Sequence, residues 1–254
     1  MDAFRAPASS AGGQETRLSF TLEHWCLWRS ELASTTGCWP GGEILPCNGG
    51  QADVSFMPLI QRRRLSPLAM AACAVAWRCR QLGGDMPAVF YSSHGESQYY
   101  FEMLDGMAQG ERLSPTRFSL SVHNAIAGQF GIHAESHLPY MCLAGGTEGL
   151  FAAFLEAAGM QLEVPKVMVV FYEQPLPEVW QPYLAASKTT WALAMVMARG
   201  CESGNQLNLI REPAGDTAEA ESGEPSLIRA ILSGQRSGGC RLERSNWRWS
   251  LGDA

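Results

Sequence analysis

The sequence predicts an α/β protein built of stacked layers, and three observations carry that expectation. Short, continuous apolar runs of strand length occur at 88–93 (AVFYSS), 166–173 (KVMVVFYE) and 191–199. Helical patterns at 68–82, 97–107 and 147–158 are interleaved with them. The 254-residue chain is 46% hydrophobic and 17% charged, which excludes disorder of the whole chain and fits one large domain or two small ones.

Taken in order, residues 1–17 are small and polar without a period, and are expected to form a flexible lead. Residues 18–28 carry apolar residues of mixed period, and 30–50 read as loop. Pro67 suits a first helical turn, so 68–82 is expected to be an Ala-rich buried helix ended by Gly83-Gly84. After the strand at 88–93, the helix at 97–107 places Tyr100, Phe101 and Leu104 on one side. A turn is expected at 113–116, a brief alternation at 118–122, a helix at 122–130 and a strand at 137–143. Ala144-Gly145-Gly146 then makes a tight turn, with Thr147 as helix N-cap. In the following helix Leu150, Phe154 and Ala158 recur at i, i+4 and i+8. Pro175 and Pro177 end the strand at 166–173. Beyond Gly200 the composition shifts. An acidic loop (212–224), a short helix (226–232) and a strand with alternating Trp247 and Trp249 (241–251) are expected there. The division is therefore 1–17, a main domain 18–200, and an extension 201–254 that packs on the domain or on a partner.

Charge and composition narrow the function. The net charge of −6 leaves no basic nucleic-acid footprint. No apolar run approaches the roughly 20 residues of a membrane span, and the N-terminus has no secretory pattern, so a cytoplasmic protein is expected. The eight cysteines contain no C-x-x-C pair and no zinc-type Cys/His spacing, which favours reduced thiols and no metal. No Walker lysine or G-x-G-x-x-G frame is present, and no cofactor is expected. Arg62, Arg63 and Arg64 form the one dense cationic cluster, either a solvated face or a contact for an acidic partner or a phosphate.

The strand, glycine turn and helix at 138–158 are the most informative local unit. A helix N-terminus at a strand end favours a thiolate or an oxyanion, and enzymes place nucleophiles there. Here the turn is Ala144, Gly145, Gly146, Thr147 and Glu148, without Cys or Ser; Cys142 lies upstream, in the strand. Of five histidines, His123 and His133 are too far apart along one helix to share a small site, and His94 follows a strand. None follows residue 137.

Several segments, in order, resemble β-ketoacyl synthases: 62–72 (RRRLSPLAMAA), 89–96 (VFYSSHGE), 111–132 with Asn124, Ala127 and Gly128, 137–159, and 167–177. The likeness spans roughly 55–200 and is nearest the short, chain-length-factor-like proteins of aryl-polyene and type II polyketide systems. It implies a layered thiolase-like (αβαβα) half, truncated relative to full ketosynthases. It also places Gly146, within one residue, where a synthase carries its nucleophile, and glycine cannot form a thioester. Full condensing enzymes bring further His or Lys from a second half, whereas 54 residues without His follow Gly200 here.

The resemblance thus implies an inactive subunit that pairs with a full-length β-ketoacyl-ACP synthase and lines part of its acyl tunnel. The active subunit would condense chains held on acyl carrier protein. The strand at 138–143 would pair antiparallel across a pseudo-twofold axis. Phe118, Asn124, Leu138, Tyr140, Met141, Cys142, Leu143 and Phe151 are the interface and tunnel candidates. Arg62, Arg63 and Arg64 are the carrier-protein candidates. Two alternatives are an acyl-thioester condensing or transferring enzyme using Cys142, and a binding module for acyl carrier protein.

Overall fold

A computed structural model describes residues 15–31, 38–144, 148–184, 186–200, 205–213, 225–242 and 245–252. They form nine strands of one sheet and seven helices. The strands are β1 (Thr16–Arg29), β2 (Gly42–Ile44), β3 (Ala88–Ser92), β4 (Tyr140–Ala144), β5 (Lys166–Glu173), β6 (Trp191–Ala198), β7 (Asn205–Pro213), β8 (Ser237–Arg241) and β9 (Ser245–Gly252). The helices are α1 (Leu59–Arg62), α2 (Pro67–Gly83), α3 (Ser97–Ala108), α4 (Pro115–Leu120), α5 (Ala125–Ala134), α6 (Phe151–Met160) and α7 (Ser226–Ser233). The sheet order is β4-β3-β5-β6-β1-β7-β9-β8, with β2 pairing β1. β3 runs parallel to both β4 and β5, and the rest of that path is antiparallel.

Alternation along the central strands builds two cores, one on each face. Val167, Val169 and Phe171 of β5 join Trp191, Leu193, Met195 and Met197 of β6 against α6 and α7. Met168, Val170 and Tyr172 join Ala192, Ala194 and Val196 against α2 and α5. Because both faces are covered, these strands read as unbroken apolar runs. The small β6 residues leave room for α2. That helix starts where Ser66 accepts a hydrogen bond from Ala69 N at 2.9 Å, with Pro67 next.

Three expectations are corrected. Residues 16–29 form one long strand. A register shift between Leu22 and His24 inverts its parity, so Phe20 and Leu22 share a face with Trp25 and Leu27. That inversion is the mixed period seen in the sequence, and it starts ordered structure inside the stretch expected to be a flexible lead. The alternation at 118–122 belongs to helix α4 and its exit, because Ser114 caps the helix and Pro115 opens it. The boundary at 200 does not divide the sheet: β7 pairs β1 over Thr16–Leu22, and β9 and β8 follow it. The described strands of the extension therefore pack on this chain. Gly42 shows how closely β2 approaches β1, since a Cβ there would lie 2.2 Å from the Trp25 ring.

Candidate functional site

The parallel strands β4, β3 and β5 end side by side at Ala144, Ser92 and Glu173. Their carboxyl ends are the position at which open α/β sheets present binding loops. The turn after β4, including Gly146 and Thr147, lies outside the described residues. What surrounds it is described.

The loop after β3 is tied down by buried groups. Ser92 Oγ accepts from Gly95 N at 2.7 Å and from His94 N at 3.3 Å. The Glu173 carboxylate accepts from Ser93 N. Glu96 Oε1 accepts from Ser66 Oγ at 2.6 Å, linking the loop to the start of α2. His123 brackets loop and edge strand: Nε2 donates to Leu143 O at 2.5 Å, and its ring sits where a Gly95 Cβ would lie 2.9 Å from Nδ1. Gly95 has φ +53°, so any side chain there would be both strained and crowded.

On one side of Ser93 and His94 lies a cavity of about 120 Å³, bounded by Gly149, Phe151, Glu173 and Trp191. On the other lies an open groove of about 430 Å³, lined by Glu96, Tyr100, His123, Leu176, Trp180 and Leu184. Below the first cavity Glu148 anchors the approach to α6. It takes both Arg211 Nε and Nη2 (3.0 and 2.8 Å), Ser245 Oγ (2.8 Å) and Trp247 Nε1 (3.0 Å). Arg211 foremost, with the Ser245 and Trp247 bonds, outweighs burial and pulls the Glu148 carboxyl down to about 2.

Burial works the other way on Glu173 and Glu96. It pushes both carboxyls from an ordinary 4.5 up to about 7, with the hydrogen bonds to Glu173 and the Ser66 hydroxyl on Glu96 partly opposing it. The native state therefore holds extra protons between pH 4.5 and 7. Their stabilising contribution is complete below pH 4.5 and is lost as pH rises through 7. It amounts to on the order of 3 kcal/mol per group. A thermal midpoint followed from pH 5 to 8 is expected to fall more steeply in the natural chain than in Glu96→Gln. Identical slopes would contradict this.

The interface candidates divide into two groups. Tyr140 and Met141 of β4 are 45% and 43% exposed, and Leu138 just before the strand and Phe118 of α4 are exposed as well. The outer edge of β4 pairs with no strand among the described residues. Asn124 is an exposed residue at the start of α5 without a side-chain cap bond. Cys142 and Leu143 are half-buried and lean on opposite cores. Burial raises the Cys142 thiol to about 11, the opposite of an activated nucleophile. Phe151 is 1% exposed and stacks on Trp247 at 4.6 Å, so it is absent from the outer face and bounds the inner cavity. Neither the cavity nor the groove is lined by Phe118, Tyr140 or Met141. Arg62 ends α1 and Arg63 and Arg64 follow it, and Arg62 and Arg63 line a separate open groove with Asp53 and Met70. Glu173, Glu96 and Ser92 went unnoticed in the sequence, and His123 was weighed there only against His133. The signal available for Glu173 was a carboxylate closing an otherwise apolar buried strand.

Comparison with known proteins fits this architecture. The family model of the beta-ketoacyl synthase N-terminal domain matches residues 37–250, and the chain belongs to that family. The fold is similar to that in the structure described as the ketosynthase ApeO in complex with its chain length factor ApeC, from Xenorhabdus doucetiae. The TM-score is 0.72 at 22% identity, covering 92% of this chain and 99% of that one. The ishigamide ketosynthase/chain length factor aligns with a TM-score of 0.47 at 15% identity, over 56% of this chain and 46% of that one. Among curated proteins none matches significantly. No described helix is long and apolar enough to cross a membrane.

Proposed function

We propose that this chain is a non-catalytic, chain-length-factor-like subunit that heterodimerises with an active β-ketoacyl-ACP synthase in the cytoplasm. The observation that carries the reading is β4: an edge strand with exposed Tyr140 and Met141, next to the turn where the family resemblance puts Gly146 in the nucleophile's place. A bare strand edge with apolar side chains is an aggregation hazard unless a partner pairs with it. A strand added antiparallel would continue the sheet and bring the partner's reacting residues near the ends of β4 and β3. The second half of the reading is chemical. Glycine offers no sulfur or oxygen for an acyl intermediate, and the burial-raised thiol of Cys142 disfavours the attacking thiolate.

In this role the chain stabilises the synthase and bounds part of the tunnel that holds the growing acyl chain in aryl-polyene or polyketide-type biosynthesis. The partner takes its substrates from acyl carrier protein, and Arg62, Arg63 and Arg64 are the surface offered to that acidic protein. The resemblance to a solved ketosynthase–chain length factor complex supports the pairing. Co-expression with a full-length ketosynthase followed by size exclusion tests it. The expected result is a stable 1:1 complex and poor behaviour of the chain alone. A well-behaved monomer that ignores the synthase would overturn the reading.

A further inference from the structure

We propose that His24, Cys26 and Glu43 hold one zinc(II) ion between β1 and β2. The site lies on strands remote in the sheet from the ends of β3, β4 and β5, and does not depend on the functional reading above.

The register of the sheet assembles the donors. Beyond the bulge in β1, His24 and Cys26 stand two residues apart on the same side of the strand. Cys26 belongs to the core facing α2. Its direct partner on β2 is Glu43. One nitrogen of His24, Cys26 Sγ and one oxygen of Glu43 all lie within 4.8 Å of one another. Zinc bonds of about 2.0–2.3 Å in a tetrahedron set donors roughly 3.3–3.8 Å apart. His24 Nε2 and Glu43 Oε1 are already 3.6 Å apart, which is ligand spacing and too long for a hydrogen bond.

The imidazole is poised for this role. Its backbone hydrogen bond to Gly41 orients the ring, and Nε2 faces the Glu43 carboxylate with no other partner. A ligating histidine ordinarily has that arrangement, one nitrogen oriented by a carbonyl and the other turned to the ion. Cys79 of α2 lies outside the three-donor group, behind Cys26. Its thiol is hydrogen-bonded with Cys26 and lies 3.6 Å from the carbonyl of Ala194, the residue paired with Cys26 on β6.

Binding expels the Cys26 proton to solvent and forms one Zn–S bond. The thiolate and the Glu43 carboxylate then offset the two charges of the ion, and the fourth position is open, as in three-ligand zinc sites. Arg78 Nε lies 2.6 Å from Glu43 Oε1, so the carboxylate would be shared between guanidinium and metal. Spacing alone could not reveal the site, because the three donors come from two strands.

The test uses the full chain, purified reduced and without chelator. Zn²⁺ is titrated against a chromophoric chelator, and Co²⁺ is added in its place as a spectroscopic probe. One ion per chain is expected, with a thiolate-to-cobalt charge-transfer band. His24→Gln and Cys26→Ser should each weaken binding at least about tenfold, and Cys47→Ser should leave it unchanged. Failure to bind one equivalent, absence of the cobalt–thiolate band, binding unaltered in both variants, or a Cys26–Cys79 disulfide in place of metal would overturn the proposal. The cobalt spectrum of the natural chain decides the matter even where a variant does not fold.

Discussion

A Met141→Lys chain is expected to fold with an unchanged thermal midpoint and to fail to form the proposed complex with a ketosynthase. Met141 is the exposed side chain at the middle of the first three residues of β4, and β4 is the outermost strand on its side of the sheet. Lysine on an edge strand is the device by which natural sheets refuse a neighbour. It would put an unpaired ammonium into a contact whose remaining described apolar members include Leu138, Tyr140 and Phe118. Truncating or charging a central interface residue commonly costs about 2 kcal/mol or more, roughly 30-fold in Kd. Binding of the purified variant to the synthase, measured beside its melting curve, checks both halves. Undiminished affinity would mean that the partner binds elsewhere.

Trp247→Ala is expected to show the largest loss of stability, about 3–5 kcal/mol. The indole is fully buried, stacks on Phe151 with ring planes 8° apart, and donates to Glu148 Oε2. Its removal opens a cavity under α6 and takes one donor from the carboxylate that also holds Arg211 and Ser245. Trp247→Phe should recover part of the packing and none of the hydrogen bond. Denaturant unfolding of the two variants separates these contributions, and a loss below about 1 kcal/mol for the alanine variant would contradict the packing described here.

How much of this could be read from sequence depends on the element. β3, β5 and β6 were legible because helices cover both faces, leaving apolar runs with sharp ends. α2 announced itself through Pro67 and Gly83-Gly84. β1 was obscured by its bulge, which reverses the alternation between Leu22 and His24. β7 was missed because only Leu207 and Leu209 are fully buried among polar neighbours, too few to set a period. At the candidate site, the strand at 137–143 and its exposed Tyr140 and Met141 agreed with the sequence reading. Phe151 lies on the inner face, and the helical pattern that marks it as apolar cannot tell an inner face from an outer one. Buried Glu96 and Glu173 were invisible for a related reason: burial of a carboxylate is decided by neighbours distant in sequence, such as Ser66 and Ser93.

The most direct test of the central claim is intact-mass analysis of both subunits after the reconstituted complex is exposed to an acyl-thioester donor. The acyl group is expected on the ketosynthase alone, with this chain at its unmodified mass. A stoichiometric acyl adduct on Cys142, lost together with turnover in Cys142→Ala, would show that this subunit performs the chemistry itself.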